Sequence, residues 1–505
     1  MSTLLVKNLA CIATVDESFT VLDGGGIYVE DNRIVAVGRN VPATADTVID
    51  GRGMVAMPGM VNTHHHLYQT LTRNIPVVQD AGLFDWLVNL YEIWSHLTPE
   101  AVYVSTQLGL GELLLTGATT STDMFYLFPK GSPADMFDQQ VLAARAIGAR
   151  FMPCRGSMSR GRSEGGLPPD DCVQDEATIV ADCERAIAAW HDSDPLAMTR
   201  IALAPCSPFS VTPDLLRETV LMAQRHDVRI HTHLAETLDE NAYCEKMYGM
   251  RPFDFVEKMG WNVPRAWFAH CVHFDESDIR KIVHSGAGVA HCPTSNFRLG
   301  SGIAPVGHML RAGAKVGLGV DGSASNDSSD MLGEVRNCMW AQRARYGAEG
   351  MSARQALRLA TRGGAQVLGY PALGSLQVGW GADFFLMDLR RFGYAGALHD
   401  PVAAVVFSGF DHTVDYTVVN GRVVVAERRL VNVDAAALAI RANEIAASMV
   451  AAATRRTGLD FLTPRDRASQ VREAHTLLEE AGVRLDDPVS AVSSGEEGEH
   501  ATTER

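Results

Sequence analysis

The chain has 505 residues, of which 46% are hydrophobic and 21% are charged, and its formal net charge is −16. This size and composition are typical of a globular protein with a large buried core and more than one domain. The acidic charge argues against binding to a nucleic-acid backbone, which requires a basic surface, and favours a small neutral substrate.

The cysteine content and the N-terminal segment indicate a cytoplasmic location. Nine cysteines are scattered without a CxxC pair, which is typical of reduced thiols. The N-terminus lacks the basic region, apolar run and cleavage site of a secretory signal. No stretch reaches the ~18–20 uninterrupted apolar residues of a membrane-spanning helix. We therefore expect a soluble, cytoplasmic protein without a membrane or nucleic-acid partner.

The first predicted elements are short β-strands, and similar strands return near the other end of the chain. Residues 1–57 contain two apolar runs, and Glu30-Asp31-Asn32 predicts a hairpin turn between strands. Residues 369–434 contain further strands, and Asn420-Gly421 is a strong hairpin signal. These two segments predict one small β-sandwich domain formed from both parts of the chain.

Residues 58–368 alternate short apolar strands with helices. One example is RIALAPC (200–206), which is followed by the helical pattern PDLLRETVLMAQRH (213–226). Regular alternation of this kind predicts a parallel sheet with crossover helices. Polar residues follow the ends of several strands, which is where a (β/α)8 barrel carries its active site. We therefore predict an α/β fold, a (β/α)8 TIM barrel with the small β-sandwich.

The remaining segments follow the second β-rich region. Residues 435–459 are predicted to form a helix that packs on the barrel. The composition of residues 460–505 turns polar and charged, which predicts a mobile tail.

Four strand ends carry residues that could bind a metal ion or move a proton. His64 and His66 are two residues apart in PGMVNTHHH, so both imidazoles are expected on one side of a strand. The other three strand ends supply His233 and Glu236 in HTHLAE, His270 in AHCVHF, and Asp321 in GLGVDG. A lone strand-end histidine is usually a satisfied polar residue, and Asp-Gly is usually a turn. The four strand ends therefore indicate a metal site only when they are taken together, because a single convergent site explains all four of them.

Three imidazoles and one carboxylate favour zinc, with iron(II) or manganese as substitutes. The predicted ligands are His64, His66, His233 and Asp321. The strand RIALAPC has no lysine that could bridge two metals, which indicates a single ion. The ion would make hydroxide available near neutral pH. Glu236 could then shuttle a proton, and His270 could polarise the oxygen that forms at the attacked carbon.

These motifs resemble those of the amidohydrolase superfamily, in its cytosine/guanine-deaminase-like (ATZ/TRZ) branch. The matching blocks appear in the same order and include PGMVNTHHH, HTHLAET, AHCVHF, HCPTSNFRLGSGIAP and GVDGSASND. Within this branch, HHHLYQTLTR, YLFPKG, RGSMS and IALAPCSPFSVTP are most similar to 8-oxoguanine deaminases. The likeness covers roughly residues 50–430. It implies a distorted barrel and a hydrolase that removes an amino group from a cyclic amidine.

The resemblance also implies roles for individual residues and a substrate. It implies metal binding by the four predicted ligands and proton transfer by Glu236, His270 and Asp321. Four further residues fall where this branch lines its substrate pocket, namely Gln69, Trp86, Arg155 and Ser157. The substrate that the resemblance favours is 8-oxoguanine, which would give urate and ammonia. We also expect a homo-oligomer, a dimer or larger.

Other substrates and one other class of protein stay open at this point. Asp123-Met124-Phe125 departs from the more polar stretch of 8-oxoguanine deaminases, and residues 381–409 also resemble hydroxyatrazine aminohydrolases. The alternative substrate is therefore an s-triazine, and guanine, isoxanthopterin, cytosine and thioadenosine are further candidates. A non-catalytic barrel is the alternative from another class, and the presence of all four ligands argues against it.

Overall fold

The structure is a computed structural model that describes residues 2–464. The tail that we predicted to be mobile lies outside the described residues from position 465 onward. The first five strands belong to the β-domain: β1 (Thr3–Ala13), β2 (Val21–Glu30), β3 (Arg33–Gly38), β4 (Thr47–Asp50) and β5 (Met54–Pro58). The next eight form the barrel: β6 (Met60–Asn62), β7 (Ala118–Phe125), β8 (Arg150–Ser157), β9 (Ala202–Pro205), β10 (Arg229–Leu234), β11 (Ala266–His270), β12 (Gly288–His291) and β13 (Lys315–Leu318). The last four return to the β-domain: β14 (Phe384–Asp388), β15 (Tyr416–Val419), β16 (Arg422–Ala426) and β17 (Arg429–Leu430).

The helices surround the barrel and cover its ends. Many begin at a Thr or Asp whose side chain accepts a backbone N–H of the first turn, as Thr212 and Asp275 do. In chain order they are α1 (Leu83–Trp94), α2 (Pro99–Leu115), α3 (Asp138–Ile147), α4 (Glu176–Trp190), α5 (Pro213–His226), α6 (Leu238–Tyr248), α7 (Pro252–Lys258), α8 (Glu276–Ser285), α9 (Pro293–Arg298), α10 (Val306–Ala312), α11 (Met331–Tyr346), α12 (Ala353–Arg358), α13 (Gly364–Leu368), α14 (Pro401–Phe407) and α15 (Ala435–Thr457).

The eight barrel strands form a closed parallel sheet in which each strand pairs with the next along the chain and β13 pairs with β6. The side chains of β7 and β8 are buried along their whole length, because the barrel core covers one face and helices cover the other. Strands from both parts of the chain form the second sheet, in the order β17-β16-β15-β14-β5-β1-β2-β3, with β4 beside β1. The structure thus confirms the predicted (β/α)8 barrel and the additional sheet built from both parts of the chain.

A buried ion pair joins the barrel to the second sheet. Arg150, the first residue of β8, donates to both carboxylate oxygens of Asp383, at 3.2 and 2.8 Å, directly before β14. Neither side chain is exposed by more than 1%. Breaking a buried pair of this kind is costly because it leaves one charge without a partner. The pair therefore fixes the β-domain against the amino-terminal end of the barrel.

The helix α15 packs on α1 and α2 through one apolar stripe. The stripe is formed by Leu438, Ala442, Ile445, Met449 and Ala453, at the spacing of a helix face. Within the described residues, α15 is the one helix that is long and apolar enough to cross a membrane by length and composition. In the most apolar 18-residue stretch of this helix, 22% of the residues are buried inside the fold.

Candidate active site

The predicted metal ligands converge at the carboxyl-terminal end of the barrel. His64 and His66 follow β6 directly, His233 lies in β10, and Asp321 follows β13. The side chains of His64, His66 and Asp321 are exposed by no more than 6%. His65 points away from this cluster, and its Nε2 lies 3.0 Å from Ser329 Oγ. The alternation of side chains along an extended segment explains this division.

Hydrogen bonds to the other ring nitrogens set the tautomers of the three histidines. Each Nδ1 that faces a carbonyl oxygen must donate, because a carbonyl can only accept. His66 Nδ1 donates to Met124 O at 2.9 Å, and His233 Nδ1 donates to Cys206 O at 2.6 Å. Burial lowers the pKa of both rings, so they are neutral and each Nε2 presents a lone pair.

His64 reaches the same tautomer through a second histidine. His231 Nδ1 donates to Trp267 O at 2.8 Å, so its Nε2 accepts a hydrogen bond from His64 Nδ1 at 2.7 Å. His64 Nε2 is then unprotonated, buried and without a hydrogen-bond partner among the described residues. His231 was not among the predicted site residues, although its spacing of two residues from His233 could have indicated that both face the barrel interior.

These nitrogens fit a metal ion. His66 Nε2 and His233 Nε2 lie 3.0 Å apart, and neither carries a proton that could join them. Asp321 Oδ1 lies 3.3 Å from His64 Nε2 and 3.4 Å from His66 Nε2. Lone pairs held this close to one another and to a carboxylate repel unless a cation lies between them. The donor set of three nitrogens and one oxygen is suitable for a divalent transition metal.

Asp321 is held as a carboxylate. Burial alone would raise its pKa, but the proximity of His64 and of the other imidazoles lowers that pKa well below its usual range. Ser295 Oγ and the backbone N–H of Gly322 each donate to it at 2.6 Å. A carboxylate that accepts several hydrogen bonds stays ionised near neutral pH.

Glu236 and His270 lie next to the cluster with opposite preferences for a proton. His270 Nε2 is 3.5 Å from Glu236 Oε2 and 3.9 Å from Asp321 Oδ2. Asn296 Nδ2 donates to His270 Nδ1 at 3.0 Å, so the ring proton lies on Nε2, towards Glu236. Burial lowers the pKa of His270 to about 4. Burial and the negative charges of Asp321 and Glu240 raise the pKa of Glu236 well above its usual range.

The strand ends at this site adopt an uncommon backbone conformation. Ala235, His270 and Asp321 have φ angles of 51°, 71° and 65°, which lie in the left-handed region although none is glycine. Such residues cost of order 1–3 kcal/mol each and cluster at functional sites. The conformation turns the chain sharply after β10, β11 and β13.

A cavity beside the cluster is lined by the polar residues of the site together with apolar and aromatic side chains. It is lined by Glu236, His270, Asp321, His66 and His233 together with Gln69, Leu83, Trp86, Leu87, Tyr91, Tyr126, Cys206, Phe209, Leu299 and Ser325. Both amide atoms of Gln69 are buried and lack a partner among the described residues. Trp86 presents its ring while its Nε1 donates to Ala324 O at 3.2 Å. Apolar walls with a few directed polar groups are typical of small-molecule sites.

Two of the residues predicted to line the substrate pocket, Arg155 and Ser157, are not among the residues that line this cavity. Arg155 was expected to contact substrate, but its guanidinium donates to Asp182 at 2.6 Å and to Gln174 at 2.8 Å. It also lies 3.7 Å from the ring centre of Phe128. Its side chain points from β8 towards α4 and its donors already have partners, so substrate contact by Arg155 stays a prediction that this arrangement does not favour. Ser157 is buried and is not among the side chains that line the cavity.

The barrel and the site at its carboxyl-terminal end define a metal-dependent hydrolase of C–N bonds. The model of the Amidohydrolase family matches residues 55–424, and the chain belongs to this family.

Individual members of this family are similar to the chain over most of its length. The chain is 45% identical over 455 residues to an 8-oxoguanine deaminase from Pseudomonas aeruginosa, covering 89% of this chain and 100% of that one. It is 36% identical to a hydroxydechloroatrazine ethylaminohydrolase from Pseudomonas sp. (strain ADP), covering 84% of this chain and 91% of that one. An atrazine chlorohydrolase from Arthrobacter aurescens, solved with zinc, superposes with a TM-score of 0.84 at 34% identity, covering 88% and 100% of the two chains. The resemblance to this branch of the amidohydrolases is confirmed.

Proposed function

We propose that the protein deaminates a purine-like heterocycle by hydrolysis, with 8-oxoguanine as the substrate and urate and ammonia as the products. The observation that carries this proposal is the position of Glu236 beside His270 and Asp321. A carboxyl group that keeps its proton at neutral pH can protonate a departing amine. The identity of 45% to an 8-oxoguanine deaminase supports the choice of substrate.

We propose one divalent metal ion as the cofactor, held by His64, His66, His233 and Asp321. Zinc is the proposed ion, because the donor set suits it and a structural relative was solved with zinc. Iron(II) and manganese are the substitutes. When bound, such an ion acts as a Lewis acid that makes water a nucleophile near neutral pH.

The residues of the chain then move the protons. Asp321, as the ionised carboxylate, accepts a proton from the attacking water. Glu236 delivers its carboxyl proton to a ring nitrogen, then takes the hydroxyl proton of the adduct as the C=O bond forms and delivers it to the departing amine. The proton on Asp321 passes to Glu236 after the products leave, which restores both residues. His270 Nε2–H donates a hydrogen bond to the oxygen that forms at the attacked carbon. In sum, the C–N bond breaks, a C=O bond forms with the oxygen of water, and the amino group leaves as ammonia.

We propose that Gln69 and Trp86 bind the ring of the substrate. The Gln69 amide can both donate and accept, so it can pair with the neighbouring carbonyl and N–H groups of an oxopurine edge. The Trp86 ring offers a flat apolar surface for stacking.

An ammonia-release assay of the zinc-loaded protein tests the substrate. The panel contains 8-oxoguanine, guanine, isoxanthopterin, cytosine, thioadenosine and hydroxyatrazine. We expect the highest kcat/KM with 8-oxoguanine. Release of amine from hydroxyatrazine, with none from a purine or a pterin, would establish the second candidate, an s-triazine aminohydrolase. That candidate is supported by the relative at 36% identity.

The cytoplasmic location and the homo-oligomeric state, a dimer or larger, are also proposals. Light scattering coupled to size-exclusion chromatography measures the oligomeric state directly. A mass near 54.6 kDa would identify a monomer and contradict the second proposal.

A further inference from the structure

A second cavity, of about 460 Å³, lies at the amino-terminal end of the barrel, opposite the candidate active site. Three consecutive strands bring an arginine to it. Arg200 lies two residues before β9, Arg229 is the first residue of β10, and Arg265 directly precedes β11. An apolar wall completes the cavity, formed by Met152, Ile201, Val228, Pro264 and Pro371. We call this space the basic cavity.

The three arginines differ in how well their donors are satisfied. Arg265 donates to the carbonyl oxygens of Ala223 and Val228, both at 3.0 Å, so it caps the end of α5. Arg200 donates to the carbonyl oxygens of Gly369 and Asp194, at 2.8 and 2.7 Å. Arg229 donates a long hydrogen bond, of 3.3 Å, to Pro264 O. Its Nε has no hydrogen-bond partner among the described residues, and neither has the Nε of Arg200. Carbonyl hydrogen bonds therefore account for Arg265, whereas Arg229 has the long hydrogen bond and a distant contact with the Trp267 ring, 5.9 Å from its centre.

Four basic residues, Arg200, Arg229, Arg265 and Lys315, lie around the basic cavity with three aspartates, Asp192, Asp194 and Asp227, so the positive charges outnumber the negative ones by one. Within residues 2–464, Asp227 is the carboxylate that forms an ion pair with one of these arginines. It lies 3.1 Å from Arg265, and its side chain is 94% exposed. Two further aspartates lie on the loop nearby, but their carboxylates accept backbone N–H groups, Asp192 from residue 194 and Asp194 from residue 196. Arg200 and Arg229 thus have no carboxylate partner in the described part of the chain.

The remaining groups around the cavity add no negative charge. Lys315 donates to Gly286 O at 2.9 Å, and burial together with the charge of Arg229 lowers its pKa. His191 accepts a hydrogen bond from Ile201 N at its Nδ1, so its proton lies on Nε2. Burial and the charges of Arg265 and Arg200 lower the pKa of Arg229 to about 10. Bringing an anion among these like charges would relieve their repulsion.

We propose that the basic cavity binds a phosphorylated small molecule. Its phosphate pairs with Arg229 and Arg200, because guanidinium groups match the geometry of phosphate oxygens. Its organic part lies against the apolar wall, since the volume falls within the range of small-molecule sites and far exceeds one phosphate. This site is independent of the proposed deaminase activity.

Calorimetric titration of the metal-loaded protein with ribose 5-phosphate tests the proposal, because this probe has no purine ring that could enter the active site. We expect saturable binding and a rise in Tm, and neither with ribose. The proposal is overturned if ribose 5-phosphate produces no binding, or if inorganic phosphate binds as tightly as the sugar phosphate.

Two variants move the affinity in opposite directions. Arg229→Gln removes a charge-assisted contact and should weaken binding by about tenfold or more. Arg217→Gln, which removes an exposed arginine paired with Asp214 on α5, is the matched control and should leave binding unchanged. Asp227→Asn removes the competing carboxylate and should strengthen binding, and Asn tolerates the φ of 51° at this position. If Arg229→Gln does not fold, unchanged or weaker binding in Asp227→Asn overturns the proposal.

Discussion

The carboxylate of Glu240 accepts the backbone N–H of Glu236 at 2.9 Å, and its other oxygen accepts the N–H of Ala235 at the same distance. Glu240 is fully buried at the start of α6. It therefore holds the left-handed turn at Ala235, which directs the Glu236 side chain towards His270. Glu240 is a positioning residue for the proposed general acid.

Replacement of Glu240 by Gln should lower kcat with little change in KM or metal content. An amide oxygen can accept one of the two N–H groups, and its NH₂ repels the other, so Glu236 shifts. Misplacement of a catalytic group by about 1 Å can cost on the order of 100-fold in rate. Loss of the Glu240 charge also lowers the pKa of Glu236, so the basic limb of the kcat–pH profile should move to lower pH. The control is Glu245→Gln on the exposed side of α6, and an unmoved pH limb in E240Q would argue against positioning.

The hydrogen bond between His64 and His231 should determine metal affinity. His231→Phe keeps the stacking on Trp267, whose ring lies 4.3 Å away, but removes the acceptor for His64 Nδ1–H. Loss of such a partner typically weakens metal binding by about 10–100-fold. Competition with a chromophoric chelator measures the zinc affinity. His226→Gln, a surface substitution, serves as the control, and equal affinities in the two variants would refute the role of His231.

Proton transfer and metal binding should separate in two variants of the site. Glu236→Gln should retain zinc and lose about 10²–10⁴ in kcat, because the amide has no proton to deliver. His233→Ala should lose zinc, since it removes a ligand. Metal analysis by mass spectrometry and ammonia release are measured on the same samples. Full activity of E236Q would show that another group carries the proton.

Substitution of Gln69 by Leu should raise KM while leaving the metal content unchanged. Both amide atoms of Gln69 lack partners among the described residues, so the fold loses no hydrogen bond with this change. Loss of its hydrogen bonds to substrate should raise KM by about tenfold. Gln224→Leu on the exposed face of α5 is the control. A KM equal to that of the control would remove Gln69 from the proposed substrate contacts.

The stability of the protein should depend on pH through Glu334, which is buried on α11 far from solvent. Burial raises its pKa well above 4.5, so the folded state keeps a proton that the unfolded state has already lost. Stability therefore falls as pH rises above about 4.5, with a slope of up to roughly 1.4 kcal/mol per pH unit until the folded-state pKa is reached. Glu334→Gln removes this slope and should raise Tm more at pH 8 than at pH 5. Calorimetry at both values tests this against the surface variant Glu349→Gln, and an equal gain at the two pH values would contradict it.

The alternation of apolar strands and helices was sufficient to predict the barrel, and the spacing of His64 and His66 was sufficient to predict that the two rings lie close together. These features repeat along the sequence and depend on local geometry. The role of His231 depends instead on a contact across the barrel with His64, which follows β6. The role of Glu240 depends on how the turn between β10 and α6 places its carboxylate on two backbone N–H groups, and no periodicity in the sequence records either contact.

Arg155 shows a second feature that the sequence pattern does not predict, namely the direction in which a side chain of a fully buried strand points. All eight residues of β8 are buried, because the helices cover one face of the strand and the barrel core covers the other. No alternation of polar and apolar residues then indicates which side chains face inward. The family likeness suggested the pocket for Arg155, whereas the carboxylate of Asp182 on α4 binds its guanidinium.

The pairing of β5 with β14 has a consequence for synthesis on the ribosome. β5 is made early, but its antiparallel neighbour follows only after the whole barrel has been translated. At typical elongation rates this delay is on the order of tens of seconds. During that interval the nascent chain exposes an apolar strand edge, MVAMP, that could pair with other chains. Any shielding of that edge would have to last until the ribosome reaches Phe384 and β14 can pair with it.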